Sequence, residues 1–228
     1  MMNIDLTDVK IIDRRAFQKS NSLKSITLDK NYRKTSLSSK INIGEKDVEQ
    51  LSKQDSISSI ALSDNLLIVR GYAFSECNFL NSVELPSNVI IIGEKTFEKC
   101  KNLEKVNFSR TSSKLEGRKI EAGAFSFCSS LNTIALPNNL ELIEEQAFLD
   151  CTALEQIEIP ENVKEIKDRA FLGCKSLKTV VITAKEPPFL GEEVFPIEGI
   201  TFKVPKGSIE KYKNENCWFQ YKKMIQEA

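Results

Sequence analysis

The sequence contains no histidine, the residue that most often serves as a general base or a metal ligand. Catalytic arrangements of serine or cysteine with histidine are therefore excluded. Glycine is scarce, with 9 residues, and no G-x-G-x-x-G or Walker pattern for phosphate binding is present. Acidic pairs such as Glu144-Glu145 and Glu192-Glu193 are typical of a solvated surface rather than of an acid and a base. We therefore predict that the protein is not an enzyme and uses no cofactor or metal.

An excess of charge of one sign is also missing, since Lys plus Arg and Asp plus Glu both number 32. No overall field therefore favours nucleic acid or an acidic membrane as a partner. No apolar run approaches the length of a membrane span, and residues 1–5 have neither the basic start nor the apolar core of an export signal. We expect no nucleic-acid partner and no membrane insertion.

What the sequence does contain is a repeated phenylalanine, usually preceded by alanine and followed by a cysteine three positions later. The clearest copies are at Phe74, Phe97, Phe125, Phe148 and Phe171, and the steps between them are 23, 28, 23 and 23 residues. A fixed period in this range indicates stacked supersecondary units, because no single unit can bury its apolar face alone. The sequence therefore predicts a solenoid.

An apolar template accompanies each phenylalanine. Phe148, for example, is followed by Leu154, Ile157 and Ile159, an alternation that predicts a short strand with one buried face. Proline follows several of these strands and stops the ladder, because it has no N–H group. The segment Ile-x-x-x-Ala-Phe-x-x-Cys predicts a brief extended piece and then a helical or 3₁₀ turn.

Further copies extend the repeat in both directions. Phe17 opens an earlier copy, Leu51 replaces phenylalanine in a worn one, and Phe195 opens a divergent last one, which makes about eight coils. We predict a solenoid over residues 1–183 and a divergent last repeat with a C-terminal cap over residues 184–228. The step from 17 to 51 is 34 residues and that from 97 to 125 is 28, so insertions near 29–40 and 109–119 should form loops on one rim.

Five of the six cysteines occupy one position of the repeat. Equivalent side chains in adjacent coils lie about 4.8 Å apart, whereas a disulfide needs Cβ atoms about 3.8 Å apart with crossing geometry. We predict free, buried thiols that fill the turn, and the alternative is a metal or redox ladder. Cys217, beside Trp218, is expected to pack against the core as well. The phenylalanine column is predicted to form the spine of the core rather than an aromatic binding ladder.

The C-terminal segment differs from the repeat. Residues 201–205 predict a last strand, and Ser208 is expected to cap a helical turn over residues 209–213. Trp218, Phe219 and Tyr221 are expected to cover the open end of the core, since an uncovered end would aggregate.

The repeat resembles the BspA-like branch of the leucine-rich repeat proteins, over about residues 10–183. Its pattern is Leu-Pro-x-x-Val-x-x-Ile-x-x-x-Ala-Phe-x-x-Cys-x-x-Leu-x-x-Ile-x-Leu. The tail, with Pro187-Pro188, Val204-Pro205-x-Gly207-Ser208, Tyr212 and Trp218, resembles the closing segment of secreted bacterial members. The resemblance implies a curved solenoid with a parallel sheet on its concave side, used in adhesion or protein recognition at the cell surface or after secretion. Two alternatives stay open, a processed fragment that has lost its signal and a cytoplasmic protein as written. We expect a monomer.

Two surfaces are candidates for binding. The concave face offers small, amide and charged side chains between the buried strand positions, namely Ser82, Glu84, Lys105, Asn107, Thr133, Gln156, Glu158 and Thr179. The inserted rim carries the basic residues Arg33, Lys34, Lys40, Arg110, Lys114, Arg118 and Lys119. The face is expected to bind a host or matrix protein, and the rim an anionic glycan or acidic protein. Ordinary solvated strand residues and loops are the alternatives, and with them a structural spacer or intracellular scaffold without a dedicated ligand.

Overall fold

The computed structural model describes residues 2–5, 9–20, 23, 25–27, 42–43, 57–62, 66–86, 88–108 and 117–228. Each full coil contributes a short strand, a turn that carries the phenylalanine, and usually a longer strand. The long-strand face contains β1 (Met2–Asp5), β3 (Ser25–Thr27), β5 (Ile57–Ala61), β7 (Ser82–Leu85), β9 (Lys105–Phe108), β11 (Thr133–Ile134), β13 (Gln156–Ile159), β15 (Thr179–Ile182), β17 (Thr201–Val204) and β18 (Ile225–Glu227). The opposite sheet contains β2 (Ile11–Ile12), β4 (Asn42–Ile43), β6 (Ile68–Val69), β8 (Ile91–Ile92), β10 (Arg118–Ile120), β12 (Leu140–Ile143), β14 (Glu165–Ile166) and β16 (Phe189–Leu190). Every strand pair among these described residues is parallel.

The core is a column of phenylalanine rings between the two sheets. Successive ring centroids lie 5.0 to 5.3 Å apart, and the ring planes differ by 4° to 7°. The stacked rings are those of Phe17, Phe74, Phe97, Phe125, Phe148, Phe171 and Phe195, all fully buried. The predicted parallel solenoid is confirmed, and its column contains the seven phenylalanines that were expected from the eight coils, of which the worn copy has leucine instead.

The coils near the N-terminus do not stack in chain order. The ladder runs β1-β5-β3-β7, so β5 of the worn copy lies between β1 and β3, and β4 lies outside β2. The ring of Phe17 therefore stacks directly on that of Phe74, 5.1 Å away. The worn copy has no Ala-Phe pair and no cysteine, so it cannot supply the next member of either column. It follows that the worn copy separates these two coils in sequence but not in space.

The turn around each phenylalanine has alternating hydrogen bonds rather than a continuous 3₁₀ helix. The N–H groups of Ala73, Ser75 and Cys77 bond to carbonyls three residues earlier in their own coil. The intervening N–H groups of Tyr72, Phe74 and Glu76 bond to the next coil, to the carbonyls of Glu94, Thr96 and Glu98 at 2.8 to 2.9 Å. Tyr72 and Glu76 have φ values of 61° and 59°, in the left-handed region. The predicted helical or 3₁₀ turn thus keeps its i to i+3 bonds but has every second amide turned towards the neighbouring coil.

The five repeat cysteines are free and buried, as predicted, and each has a specific partner. Each thiol donates a hydrogen bond of 3.0 to 3.2 Å to the carbonyl of the phenylalanine in the preceding coil, as Cys151 Sγ does to Phe125. Burial raises the pKa of Cys128 and of Cys174 to about 12, and it also raises the pKa of Cys100 and Cys151. The thiol therefore adds a second hydrogen bond to a buried carbonyl that already accepts an N–H within its own turn, as the Phe125 carbonyl does from Cys128. Cys217 is half-buried and packs against the core.

The C-terminal segment closes the stack with an aromatic cluster. After β17 the chain forms α1 (Ile209–Asn214), a 3₁₀ helix (Asn216–Met224) and β18, which extends the long-strand ladder beyond β17. Ser208 occupies the N-cap position, but its side chain makes no capping hydrogen bond. The sequence predicted β17 and α1 but not β18.

Three of the cap's aromatic side chains are fully buried, and each is tied to the last coils. Trp218 Nε1 and Tyr212 Oη each donate a 2.8 Å hydrogen bond, to the carbonyls of Pro188 and Ala184 respectively. Tyr221 Oη bonds the N–H and the carbonyl of Phe195, each at 3.1 Å. Phe219 is 62% exposed, so the prediction that it covers the core is wrong. A 3₁₀ helix has three residues per turn, which places Trp218 and Tyr221 on one side and Phe219 on another.

Candidate functional site

The candidate site is the outward face of the long strands, which we call the strand face. Along β7 the buried residues Val83 and Leu85 alternate with the half-buried Ser82 and the exposed Glu84. This alternation follows from the pleat of a strand whose other face packs on the core. The face is therefore formed by two columns of side chains that run across the coils.

Strand pairing aligns the candidate residues from coil to coil. In the first column Ser82 pairs with Lys105 and Lys105 with Thr133, and Gln156 pairs with Thr179. In the second column Glu84 pairs with Asn107. Glu158 pairs with Val181, which pairs with Lys203 on β17. The register predicted from the repeat is thus present within each of these groups of paired strands.

All eight predicted residues of the strand face reach the surface. Glu84, Lys105, Thr133, Gln156 and Glu158 are exposed, and Ser82, Asn107 and Thr179 are half-buried. The ladder is interrupted, however, because β11 and β13 belong to separate sheets of six and four strands. The strand face therefore consists of two sections that meet between Thr133 and Gln156.

A third row of the strand face was missed by sequence reasoning. It lies one residue before the first column, at the entry to each strand. Its members are exposed: Asn81, Glu104, Asn132, Glu155 and Lys178. Backbone bonds of 2.9 Å from Glu104 to Asn81 and 2.8 Å from Lys178 to Glu155 hold neighbouring members together. The signal was present, since both variable positions of Leu-x-x-Ile are polar, but only the second was assigned to the face.

The side chains of the strand face suit hydrogen bonding more than burial. Hydroxyl, amide and single charged groups of both signs are interspersed, and Thr133 Oγ1 already donates a 2.9 Å bond to Asn132 Oδ1. The apolar members, Ala135 and Val181, are small. No tryptophan, tyrosine or phenylalanine lies on the described part of this face. Such a surface can approach a partner closely and form many polar contacts, without an aromatic anchor.

The predicted basic rim is not assembled as expected. Arg33, Lys34, Lys40, Arg110 and Lys114 lie outside the described residues. Lys119, on β10, is half-buried, and its Nζ is 2.8 Å from Glu121 Oε1.

Arg118 is buried, although it was predicted to be exposed on the rim. It pairs with the buried Leu140 on β12 and is itself only 2% exposed. Its Nε and Nη2 form no hydrogen bond, and desolvation lowers the pKa of its guanidinium. The prediction that Arg118 is an exposed rim cation is therefore wrong. The reason is that the inserted segment ends before β10, so Arg118 has already joined the ladder.

Comparison with known proteins decides the family. A model of the BspA-type leucine-rich repeat region, with 6 copies, matches residues 1–117, 42–178 and 113–217. The chain belongs to the BspA-type leucine-rich repeat family. Together the matches span nearly the whole chain, including the divergent last coil. No curated protein matches the sequence.

Several solved bacterial leucine-rich repeat structures are similar to this BspA-type protein. The T. pallidum leucine-rich repeat protein is 25% identical, with a TM-score of 0.48, over 72% of this chain and 80% of its own. A leucine-rich repeat protein from Bacteroides ovatus is 21% identical, with a TM-score of 0.41, over 91% of this chain and 64% of its own. A leucine-rich cell surface protein from Faecalibacterium prausnitzii is 18% identical, with a TM-score of 0.29, over 94% and 65%.

On the short-strand side of this leucine-rich repeat protein, ion pairs connect successive coils. Lys164 and Lys167 each place Nζ 2.7 Å from a carboxylate, of Glu141 and Glu144 respectively. The bonds from Lys164 and from the Gly117 N–H lower the pKa of Glu141, and Glu144 raises the pKa of Lys167. Pairs this exposed contribute about 0 to 1 kcal/mol each, so they adjust rather than create the stacking. None of the described helices has the length and apolar character needed to cross a bilayer.

Proposed function

We propose that this protein is a protein-recognition module of the bacterial surface that acts in adhesion and binds a host or matrix protein through its strand face. The observation that carries the proposal is the alignment of eight polar side chains in two columns, above a fully packed layer of strand residues. Because the buried layer fixes the backbone, the polar groups are held ready for a partner, which lowers the entropy cost of binding. Membership of a family whose proteins are typically found on the bacterial surface supports the location.

Binding rather than catalysis is favoured by the chemistry of the side chains. The sequence has no histidine, and the strand face offers single hydroxyl, amide and charged groups rather than a nucleophile next to a base. The strand face would therefore recognise a partner protein through hydrogen bonds and charge complementarity.

A spacer without a dedicated ligand is the second candidate function. It is favoured by one observation, the lack of any aromatic side chain on the described part of the strand face, because tight interfaces are usually anchored by tryptophan, tyrosine or arginine. The alternative location, in the cytoplasm, goes with this second function.

A pair of charge reversals tests the proposal without altering net charge. The variant Lys105→Glu/Glu158→Lys changes two exposed positions of the strand face, and Lys175→Glu/Glu161→Lys is a matched control at exposed positions outside it. Wild type and both variants would be immobilised and exposed to a panel of purified matrix proteins, with binding followed by surface plasmon resonance. We expect one or more panel proteins to bind wild type and the control, and to bind the strand-face variant about tenfold more weakly or worse.

The two candidate functions give different results. Equal binding by the strand-face variant and wild type, with unchanged thermal unfolding, would place recognition on another surface. Absence of binding to wild type across the panel would favour the spacer.

A further inference from the structure

A cleft lies at the C-terminal end of the solenoid, between β16 and the 3₁₀ helix. It is an open cleft of about 880 Å³, which we call the end cleft. One wall is formed by Phe189 and the loop that follows β16, and the other by Cys217, Phe219 and Gln220. The divergent last coil and the cap build this cleft together, so it is separate from the strand face.

Two large aromatic side chains are left in water at the end cleft. Phe189 is 58% exposed and Phe219 is 62% exposed. Phe79 and Phe127 are also exposed, at 51% and 38%, but Phe189 and Phe219 are the two most exposed phenylalanines and they line one cleft, whereas the cap hides Trp218 and Tyr221 completely. Exposed aromatic groups that flank a concavity are typical of a binding surface, because they gain most from a partner that removes them from water.

The charged groups of the end cleft are predominantly acidic. Asp168, Glu192 and Glu193 line it together with one cation, Arg169, whose Nε is 2.8 Å from Glu193 Oε2. Asp168 accepts a 2.8 Å bond from the N–H of Glu192. Within the described part of the chain, Glu192 makes no ion pair. The lining residues therefore carry a net charge of about −2, from three carboxylates and one guanidinium, and Lys222, above the Phe219 ring, reduces the net charge beside the cleft to about −1.

The acidic loop is fixed by its own packing. A Cβ atom at Gly191 would lie 2.1 Å from Asp168 Oδ1, so glycine is required for the loop to approach this carboxylate. The N–H of Leu190 bonds to Cys217 Sγ at 3.5 Å, which ties the loop to the opposite wall. The backbone on both sides of the cleft is therefore fixed by these contacts.

The aromatic walls are also suited to cations. Lys222 Nζ already lies 4.0 Å from the centroid of the Phe219 ring, on the same helix. Phe189, on the other wall, has no cation above it among the described residues. A guanidinium that stacks on Phe189 would come within reach of the carboxylates of the neighbouring loop.

We propose that the end cleft binds a cationic peptide segment of a partner protein, in which arginine alternates with an aromatic residue. The aromatic side chain would pack between Phe189 and Phe219, and the arginines would meet Glu192 and Asp168. The exposed amides of Asn216 and Gln220 are placed to bond the peptide backbone. This site does not depend on the strand face, so the two can succeed or fail separately.

The test uses a fluorescein-labelled peptide, Gly-Arg-Phe-Arg-Ser-Gly, with blocked ends, followed by fluorescence anisotropy at low and at physiological ionic strength. The variant Phe189→Ser/Glu192→Gln removes one wall and the unpaired carboxylate. The matched control Phe79→Ser/Glu161→Gln makes the same two changes at exposed positions outside the cleft; Phe79 is 51% exposed. We expect saturable binding to wild type and to the control, weakened by salt, and about tenfold weaker binding to the cleft variant.

Two further peptides separate charge from aromatic character. Replacing both arginines by glutamate is expected to abolish binding, and replacing the phenylalanine by glycine to weaken it. Equal affinity of the cleft variant and wild type, equal binding of the glutamate peptide, or no saturable binding to wild type would each overturn the proposal. Sedimentation that shows wild type self-associating and the cleft variant monomeric would also overturn it, since the occupant would then be a second copy of the chain.

Discussion

The ring column and the cap both bury aromatic side chains, yet they pack them in opposite ways. Rings of the column are nearly parallel, within 4° to 7° of each other. In the cap, Tyr212, Trp218 and Tyr221 meet their neighbours at 55° to 86°, with centroids 5.0 to 6.1 Å apart. A coil that repeats by translation must place each ring over the last one, whereas a cap has no successor and can choose the edge-to-face contacts that isolated aromatic pairs prefer.

The same difference holds for polar atoms. Inside the column, each cysteine thiol adds a second hydrogen bond to the phenylalanine carbonyl of the neighbouring coil, which already accepts an N–H of its own turn. In the cap, Tyr212, Trp218 and Tyr221 satisfy carbonyls of the last coils by their own hydroxyl or N–H groups. The comparison teaches that the stack is closed by replacing the groups that a following coil would have supplied, in addition to covering the apolar end.

Alkaline pH is expected to have the largest effect, because it acts on the repeated thiols together. Burial raises the pKa of Cys100, Cys128, Cys151 and Cys174, to about 12 for Cys128 and Cys174, so these four thiols stay protonated in the folded state after those of the unfolded chain have ionised. Stability is therefore complete below about pH 9 and is lost as the pH rises towards about 12, by about 1.4 kcal/mol per pH unit for each such thiol. Urea unfolding in the presence of a phosphine reductant, repeated across this pH range, measures the slope.

A matched pair of variants assigns this slope to the column or to the cap. Cys128→Ala should make it shallower from about pH 9, and Tyr212→Phe only from about pH 10, because burial also raises the pKa of Tyr212. A slope that is identical in Cys128→Ala and wild type would contradict the role given to the thiols.

Removing one ring from the middle of the column is the next largest change. Phe148 stacks on Phe125 and Phe171, and Phe148→Ala is expected to lower the free energy of unfolding by about 3 to 5 kcal/mol through lost burial and a cavity. Urea denaturation at neutral pH measures it, with Phe79→Ala as the control because that ring is 51% exposed. Equal losses in the two variants would show that the column is not the spine of the core.

The smallest expected effect concerns a single hydroxyl of the cap. Tyr212→Phe keeps the ring and removes the 2.8 Å bond to Ala184, which should cost about 0.5 to 1.5 kcal/mol. Tyr72→Phe removes an exposed 3.3 Å bond to Glu94 and should cost less. If the two losses are indistinguishable by urea denaturation, the cap depends on covering apolar surface and not on satisfying carbonyls.

The features that repeat from coil to coil could be predicted from the sequence. Phe148, Cys151 and Ile157 recur at one spacing, and a residue's place in one coil gives its place in all, including the eight residues of the strand face. The prediction missed the third row because the positions before each strand, such as Glu104, were not treated as part of the repeated surface. The same reasoning could not rank the residues of the strand face, because the repeat shows which side chains point to solvent and not how strongly each would bind a partner.

The features that occur only once in the chain, and so do not recur in each coil, were not predicted. Arg118 follows an insertion whose end the composition does not mark, so its burial on β10 was missed. Phe219 resembles Trp218 and Tyr221 as a residue type, and only the three-residue turn of the 3₁₀ helix separates it from them. β5 pairs on the outer side of β3 rather than between β3 and β7. The period of the repeat does not determine which strands become neighbours, so this order was not predicted.

The alternation of amide bonds around each phenylalanine has a consequence for how such a chain can change. Every second N–H of one turn donates to a carbonyl of the next turn, and the cysteine of that next turn donates back, so the two sides of each full coil carry complementary donors and acceptors. A coil gained or lost by unequal recombination, as one unit of 23 residues, would therefore meet matching neighbours. The number of coils can therefore change during evolution in steps of one coil, while a single cap continues to close the C-terminal end.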